Sequence, residues 1–267
     1  MAFFVALVVF LMPLAAFAAG GTLHIDGNAG VPLAFNQSGD GWNWVAGSQT
    51  LALDSAYSGK LIYFNTSDTI YLVYSGNVTI ISAIDMQALC SDGDLLISGS
   101  GGTLTLKSSG GFEALAADSI TIGGDAVIYA ESDDTKVITA YDGDVTIKEN
   151  ASVTVKGTGA DTTGIYSDSG GITIDTTGAV DVTATGAAFA LDAGSQIDIK
   201  NGTVDITAAD KALAFMPGPT YTGGVVKVNG TVIYGSSGDG GGGCDAGVGM
   251  AGALALLLSL RLIRKRK

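Results

Sequence analysis

One short pattern returns at nearly constant spacing through the middle of the chain, and it limits the fold more than any other feature. The segments Asp-Leu-Leu-Ile97, Ser-Ile-Thr-Ile122, Asp-Val-Thr-Ile147, Gly-Ile-Thr-Ile174 and Gln-Ile-Asp-Ile199 follow one another at steps of 25, 25, 27 and 25 residues. A second short run precedes each, ending at Cys90, Ala116, Thr139, Tyr166 and Leu191. A third follows each, ending at Leu106, Tyr129, Val155, Thr183 and Thr207. Each run alternates apolar with small polar residues, as half-buried strands do. Asp-Gly, Ser-Gly and Gly-Gly pairs punctuate them. Three such strands cannot close a core alone. Stacked, each can pair in parallel with its equivalent one turn on, while the apolar alternates fill a narrow interior. The pattern predicts an all-β chain: a right-handed parallel β-helix with three short strands per turn and a period of about 25 residues. The hand comes from the general preference of parallel crossovers. A β-sandwich is the competing fold, because its strands also recur roughly every 8 to 12 residues; the fixed period favours the helix.

An open solenoid must cover its ends. Met216-Pro217-Gly218-Pro219 interrupts the period, and proline cannot pair within a ladder. Residues 221–234 then read as closing strands, so 83–234 hold the repeats and the C-terminal cap. Residues 20–82 read as an aromatic-rich N-terminal cap with early turns. Phe35, Trp42, Trp44, Tyr57, Tyr63, Phe64, Tyr71 and Tyr74 supply eight of the 16 aromatic residues beyond position 19.

Residues 1–19 are almost entirely apolar and end in Ala16-Phe17-Ala18, the small-x-small form of a signal-peptidase site, although no Lys or Arg precedes the run. They are expected to be a signal peptide. Residues 235–243 form a Gly/Ser linker. Residues 244–267 combine Cys244-Asp-Ala-Gly, a short apolar run and a basic end, Arg261 to Lys267. The run reads as a short transmembrane segment, its basic end staying cytoplasmic and the body facing outward. The order Gly-rich stretch, Cys244, apolar run, basic tail resembles bacterial C-terminal sorting segments of the Synergist-CTERM type. That resemblance implies recognition at the membrane, cleavage by a sorting protease and display of the body at the bacterial cell surface, with Cys244 as a processing or lipidation point.

Charge narrows the function classes. Residues 20–243 carry 25 acids against 8 Lys, and every Arg lies at or beyond Arg261. Such a body repels nucleic-acid phosphates. His24 is the sole His, which leaves little for a His-based triad, and two Cys make neither a disulfide framework nor a Cys-rich zinc site. Cys90, on an apolar strand, reads as a small core residue.

Asp92, Asp142, Asp168 and Asp192 fall at the same turn of successive periods, with Asp118 one residue off; Asp94 and Asp144 add carboxyls to that turn. Carboxylates one rung apart, about 4.8 Å, repel by about 0.9 kcal/mol even in water. Such a row is either a cation site or a tolerated solvated edge. Calcium takes six to eight oxygens, which paired Asp and loop carbonyls can supply; equally, Asp-Gly is simply good turn chemistry. Calcium is the one cofactor expected. Trp42 and Trp44, two apart on a strand, share a face, and are candidates either to stack on sugar rings or to cover the end of the core.

The stretches Gly39-Asp-Gly-Trp-Asn-Trp44, Gln-Thr-Leu-Ala-Leu53, Ser75-Gly-Asn-Val-Thr-Ile80 and the Gly/Thr-rich run from Asp92 are similar to a family of bacterial surface β-helix proteins described as carbohydrate-binding, some of them binding polygalacturonate. The likeness covers roughly residues 38–210. It implies noncatalytic binding of polysaccharide, an acidic one with calcium as the bridge. Two alternatives stand beside it: a structural or adhesin-like surface solenoid without a sugar ligand, and a polysaccharide lyase or hydrolase. The body has no Arg to act as a lyase base, and no carboxylate pair stands out as the acid and base of a glycosidase, so binding without catalysis is the expectation.

Overall fold

A computed structural model describes residues 20–27, 29–82 and 86–235. The stretch expected to be a signal peptide, most of the expected linker, Cys244 and the C-terminal segment lie outside the described residues. Among those described, no helix is long and apolar enough to cross a membrane.

The repeats form a parallel β-solenoid of three faces. Strands Ile62–Asn65, Leu89–Ser91, Leu115–Ala117, Lys136–Ala140, Thr163–Ser167, Leu191–Ala193 and Phe215–Met216 make the first face, one per turn, each parallel to the next. Ile70–Ser75, Leu95–Ser100, Ile120–Gly124 and Val145–Glu149 open the second face. Val78–Ser82, Leu104–Ser108, Val127–Ser132 and Ser152–Gly157 open the third. In the next two turns, single bent strands, Ile172–Thr183 and Ile197–Thr207, run along both faces. Parallel pairing turn upon turn excludes the β-sandwich.

The registers explain the composition. On the second face Leu72, Ile97, Ile122, Ile147, Ile174 and Ile199 stand on one another, as the sequence alignment expects. On the third, Leu104, Ile128, Val153, Val180 and Val204 do the same. The first face contributes Ile62, Leu89, Leu115, Ile138, Ile165 and Leu191. All are buried. Branched aliphatic side chains suit such ladders because each packs against a like shape one rung away. Buried hydroxyls at the corners satisfy backbone carbonyls: Ser108 bonds that of Met86, Ser132 that of Phe112 and Ser167 that of Gly143.

Antiparallel strands close both ends. Thr22–Ile25 pairs antiparallel with Ile62–Asn65, and Trp42–Val45 with Thr50–Leu53, which itself lies parallel to Ile70–Ser75. Trp44 is fully buried, donates from Nε1 to the Leu33 carbonyl at 2.9 Å, and packs on Phe64. At the other end Val225–Val228 pairs antiparallel with Thr231–Tyr234, and Tyr221 stacks on Tyr234 at 4.8 Å.

One side chain fastens three turns together. Tyr74 lies over Gly99 one rung on, and its hydroxyl donates to the Val127 carbonyl (2.8 Å) and accepts from the Val127 N–H (2.6 Å). A Cβ at Gly99 would stand 2.1 Å from the Tyr74 ring, so only glycine fits. Tyr74→Phe is expected to cost about 1 kcal/mol, the net worth of a typical hydrogen bond. Gly99→Ala is expected to cost more, because the ring must leave its seat. Urea unfolding of the two variants checks this; unchanged midpoints would show that the fastening contributes nothing.

Candidate functional site

The outward side of the first face differs in chemistry from those of the other two. Along its central row stand His24, Tyr63, Cys90, Ala116, Thr139, Tyr166, Asp192 and Met216, each register-paired with the next. The second face shows Tyr71, Leu96, Thr121, Thr146, Thr173 and Asp198 outward, and the third Thr79, Thr105, Tyr129, Thr154, Asp181, Asp205 and Lys227, so both are threonine-rich in their early turns and charged towards the end.

Small residues in the middle of the first-face row are closed over from both edges. Glu113 stands three positions before Ala116, on one edge; Tyr141 stands two positions after Thr139, on the other. The Tyr141 hydroxyl donates to Glu113 Oε1 at 3.2 Å, so this bridge crosses the strands. Gln87 Nε2 donates to Glu113 Oε2, also at 3.2 Å. Beneath the bridge Ala116 and Thr139 are fully buried although they point away from the core. Thr139 Oγ1, like Thr162 Oγ1, has no hydrogen-bond partner among the described residues.

Tyrosine hydroxyls tied to carboxylates mark the rest of the strip. Tyr63 donates to Asp92 at 2.5 Å, and Tyr166 donates to Asp168. His24 stacks on Tyr63, and the Lys136 Nζ lies 3.7 Å from the Tyr166 ring centroid, a cation–π contact. The hydrogen bond to Asp168, then burial and the charges of Asp168 and Asp192, push the Tyr166 phenol up to about 12. Burial, then the charges of Glu113 and Cys90, push the Tyr141 phenol above its usual range.

Cys90 is not in the core, as its apolar neighbours suggest. It pairs with outward Tyr63 and Ala116 and is half-buried on the outer side. Burial, followed by the charges of Asp92, Glu113 and Asp118, pushes its thiol up to about 12. The flanking side chains, not the core, bury it.

The aspartate row is not the single ladder that the sequence suggests. First-face registers step by 27, 26, 23, 27, 26 and 24 residues from Tyr63 to Met216. These unequal steps carry Asp92, Asp118, Tyr141 and Asp168 to one position, put Asp142 one residue later and leave Asp192 two earlier, in the central row. Asp94 and Asp144 belong to the second-face entry, where Ser119 stands between them. Ser119 donates to Asp94 at 2.5 Å, and the Gly171 N–H donates to Asp144 at 2.7 Å. Those two carboxyls serve turn geometry. The side-chain carboxyls of Asp118 and Asp142 accept no hydrogen bond among the described residues, although both backbone carbonyls do. Burial, then the charges of Asp142, Asp94 and Asp92, raise the Asp118 carboxyl above its ordinary value. Among the described residues no three His, Cys, Asp or Glu side chains stand together as a group that could hold a metal ion.

The tryptophans divide. Trp44 is a cap residue with no ring face open to a sugar, whereas Trp42 is half-buried against the cap. Sequence reasoning did not single out Glu113, Thr139, Tyr141, Tyr63, Tyr166 or Gln87. A signal existed: the central residues of the first run read Tyr, Cys, Ala, Thr, Tyr, large at the ends and small between.

Comparison with family models, curated proteins and solved structures finds no match for this chain.

The strip's charges set a pH dependence. Asp118 binds its proton more readily folded than unfolded, so the folded state gains stability as pH falls from neutral towards 3.8. Asp181, raised by burial and by Asp205, and Asp192, raised by burial, act in the same sense. Glu131 acts oppositely. The Tyr129 hydroxyl, then Lys107 and Lys156, hold its carboxyl below 4.5, so the stability it provides is lost as pH falls beneath that value. Calorimetry is expected to show the melting temperature rising from pH 7 towards pH 5. Asp118→Asn is expected to raise it by about 1–3 °C at pH 7 and to flatten that rise. A lower melting temperature for the variant would contradict the account.

Proposed function

We propose that the chain is a noncatalytic polysaccharide-binding solenoid, and that the outward strip of its first face is the binding surface. The observation that carries this is the recurrence of tyrosine–carboxylate pairs on one face, Tyr63 with Asp92, Tyr141 with Glu113 and Tyr166 with Asp168, where the third face has one, Tyr129 with Glu131. Tyrosine offers an apolar ring with a polar tip. A carboxylate offers acceptors for sugar hydroxyls. From Tyr63 to Tyr166 the row spans four rungs, about 19 Å, enough for a short stretch of glycan.

The carboxylates Asp92, Glu113 and Asp168 already accept from tyrosines. That suits a binding role better than the proton transfer of a glycosidase acid and base. Charge favours a neutral or cationic glycan, because Asp92, Glu113, Asp118, Asp142, Asp168 and Asp192 border the strip and repel an acidic one. An acidic, calcium-bridged polymer such as polygalacturonate remains an arm of the test. In this reading the chain is secreted, the C-terminal segment holds it at the membrane until a sorting protease acts there, and the solenoid is displayed at the bacterial surface.

Native electrophoresis through gels containing a neutral β-glucan, a deacetylated amino-sugar polymer, or polygalacturonate with calcium or chelator tests it. Retardation by at least one polymer is expected, reduced about tenfold in affinity by Tyr166→Ala with Tyr63→Ala, on the scale of losing two aromatic contacts. Trp44→Phe is expected to alter stability alone. Unhindered migration in every gel would leave the structural or adhesin-like solenoid as the better reading.

A further inference from the structure

The first-face strip holds more negative charge than nearby cations balance. Glu113, buried on one edge, takes hydrogen bonds from neutral donors only, Gln87 and Tyr141. On the other edge, the carboxyls of Asp118 and Asp142 take none among the described residues. The ion pairs found among those residues lie elsewhere: Lys107 and Lys156 with Glu131, and Lys148 with Glu149. Lys136, which borders the strip, lies over the Tyr166 ring. An acidic cluster alone proves little, since many are solvated edges.

Beneath the Glu113–Tyr141 bridge lies a second and independent sign. Thr139 Oγ1 is fully buried and has no partner among the described residues. Its side chain occupies the outward row, between Ala116 and Tyr166, so it faces the strip and not the core. Leaving a buried hydroxyl unpaired is unfavourable, and folded proteins rarely do so. The need here is for a donor that arrives with positive charge. A divalent metal ion suits less well, since among the described residues no three His, Cys, Asp or Glu side chains stand together and such an ion wants about six or more oxygens. An alkylammonium does suit, because it brings one charge and three directed N–H donors.

Building on the polysaccharide-binding reading, we propose that Glu113, Asp118 and Thr139 form a subsite for the protonated amine of an amino-sugar residue. The ammonium takes the place of the Tyr141 hydroxyl on Glu113. Asp118 lies alongside on the opposite edge, and Thr139 Oγ1 accepts the remaining N–H once the bridge opens. Tyr141, 36 % exposed, is the movable cover of the subsite and its ring is left to lie against the sugar. An N-acetylated sugar lacks the charge, and a neutral sugar lacks the donor set.

Calorimetric titration of the full-length chain in mild detergent, at roughly physiological salt to suppress long-range attraction, tests this with three probes. These are a deacetylated amino-sugar trimer, its N-acetylated counterpart and a neutral glucose trimer. The deacetylated trimer is expected to bind about tenfold or more tightly than the others, on the scale of charge-assisted hydrogen bonds. Glu113→Gln is expected to abolish that preference, the deacetylated trimer falling to the affinity that the N-acetylated and glucose trimers show for the same variant. Thr139→Val is expected to raise the melting temperature of the free chain yet weaken the deacetylated trimer several-fold; a role in packing alone would not move the two in opposite directions. The double variant Asp181→Asn/Asp205→Asn, on the third face, is expected to keep the preference. Equal affinity for all three probes would overturn the proposal while leaving the polysaccharide reading intact. So would a preference that survives Glu113→Gln, or one lost equally in the third-face variant, which marks general attraction to an acidic protein. Absence of binding by any probe would overturn the proposal, and with unhindered migration in every polymer gel it would overturn the polysaccharide reading as well.

Discussion

Everything in this fold depends on in-register parallel pairing between strands too short to hold together alone. A strand such as Leu115–Ala117 has three residues. It persists because the strands before and after it satisfy its backbone and flank its inward Leu115 with Leu89 and Ile138. This forces repetition. Any residue on one rung meets its equivalent about 4.8 Å away on the next, and the rule holds outside the barrel as strictly as inside. Aliphatic ladders gain from such stacking. Charged ladders do not, and the outer rows show how the chain relieves them. Ser119 separates Asp94 from Asp144, and Glu131 stands between Lys107 and Lys156. At Asp92 and Asp118, with Asp142 beyond, no such spacer is present. Asp181 and Asp205, stacked directly on the third face, share that lack; the first-face pair differs in lying beside the buried hydroxyl of Thr139, which has no hydrogen-bond partner among the described residues.

The architecture was legible because it lives in periodicity. Ile97, Ile122, Ile147, Ile174 and Ile199 were aligned from sequence and stand in one register. First-run positions Cys90, Ala116, Thr139 and Tyr166 also align; in the next turn Asp192, not Leu191, takes that place. Third-run ends scatter by one residue, Leu106 standing on Ala130 and not on Tyr129. The aspartate ladder failed for a definite reason. The connection from first to second face varies: Ala116 lies four residues before Ile120, while Thr139 lies six before Val145. Counting Asp positions at a fixed period from the constant second face therefore misplaces them on the first.

The binding strip was harder to read, because its parts come from three different turns and two opposite edges. Gln87, Glu113 and Tyr141 are separated by 26 and 28 residues in the chain, and no local motif announces that they meet. Thr139 carries no signal as a residue type. Its significance arises from burial without a partner, a property of packing. Trp42 and Trp44 are the reverse case: conspicuous in sequence, they lie at the cap, the second of the two roles the sequence leaves open, where an open solenoid end must bury apolar surface.

Hydrogen–deuterium exchange across the chain, with and without a saturating glycan, tests most directly whether the outward side of the first face is the working surface. The account predicts slowed exchange confined to the edges of that strip, residues 110–118 and 140–144, with the second and third faces unchanged. Protection spread over the threonine rows of the second and third faces, with the strip unaffected, would contradict it.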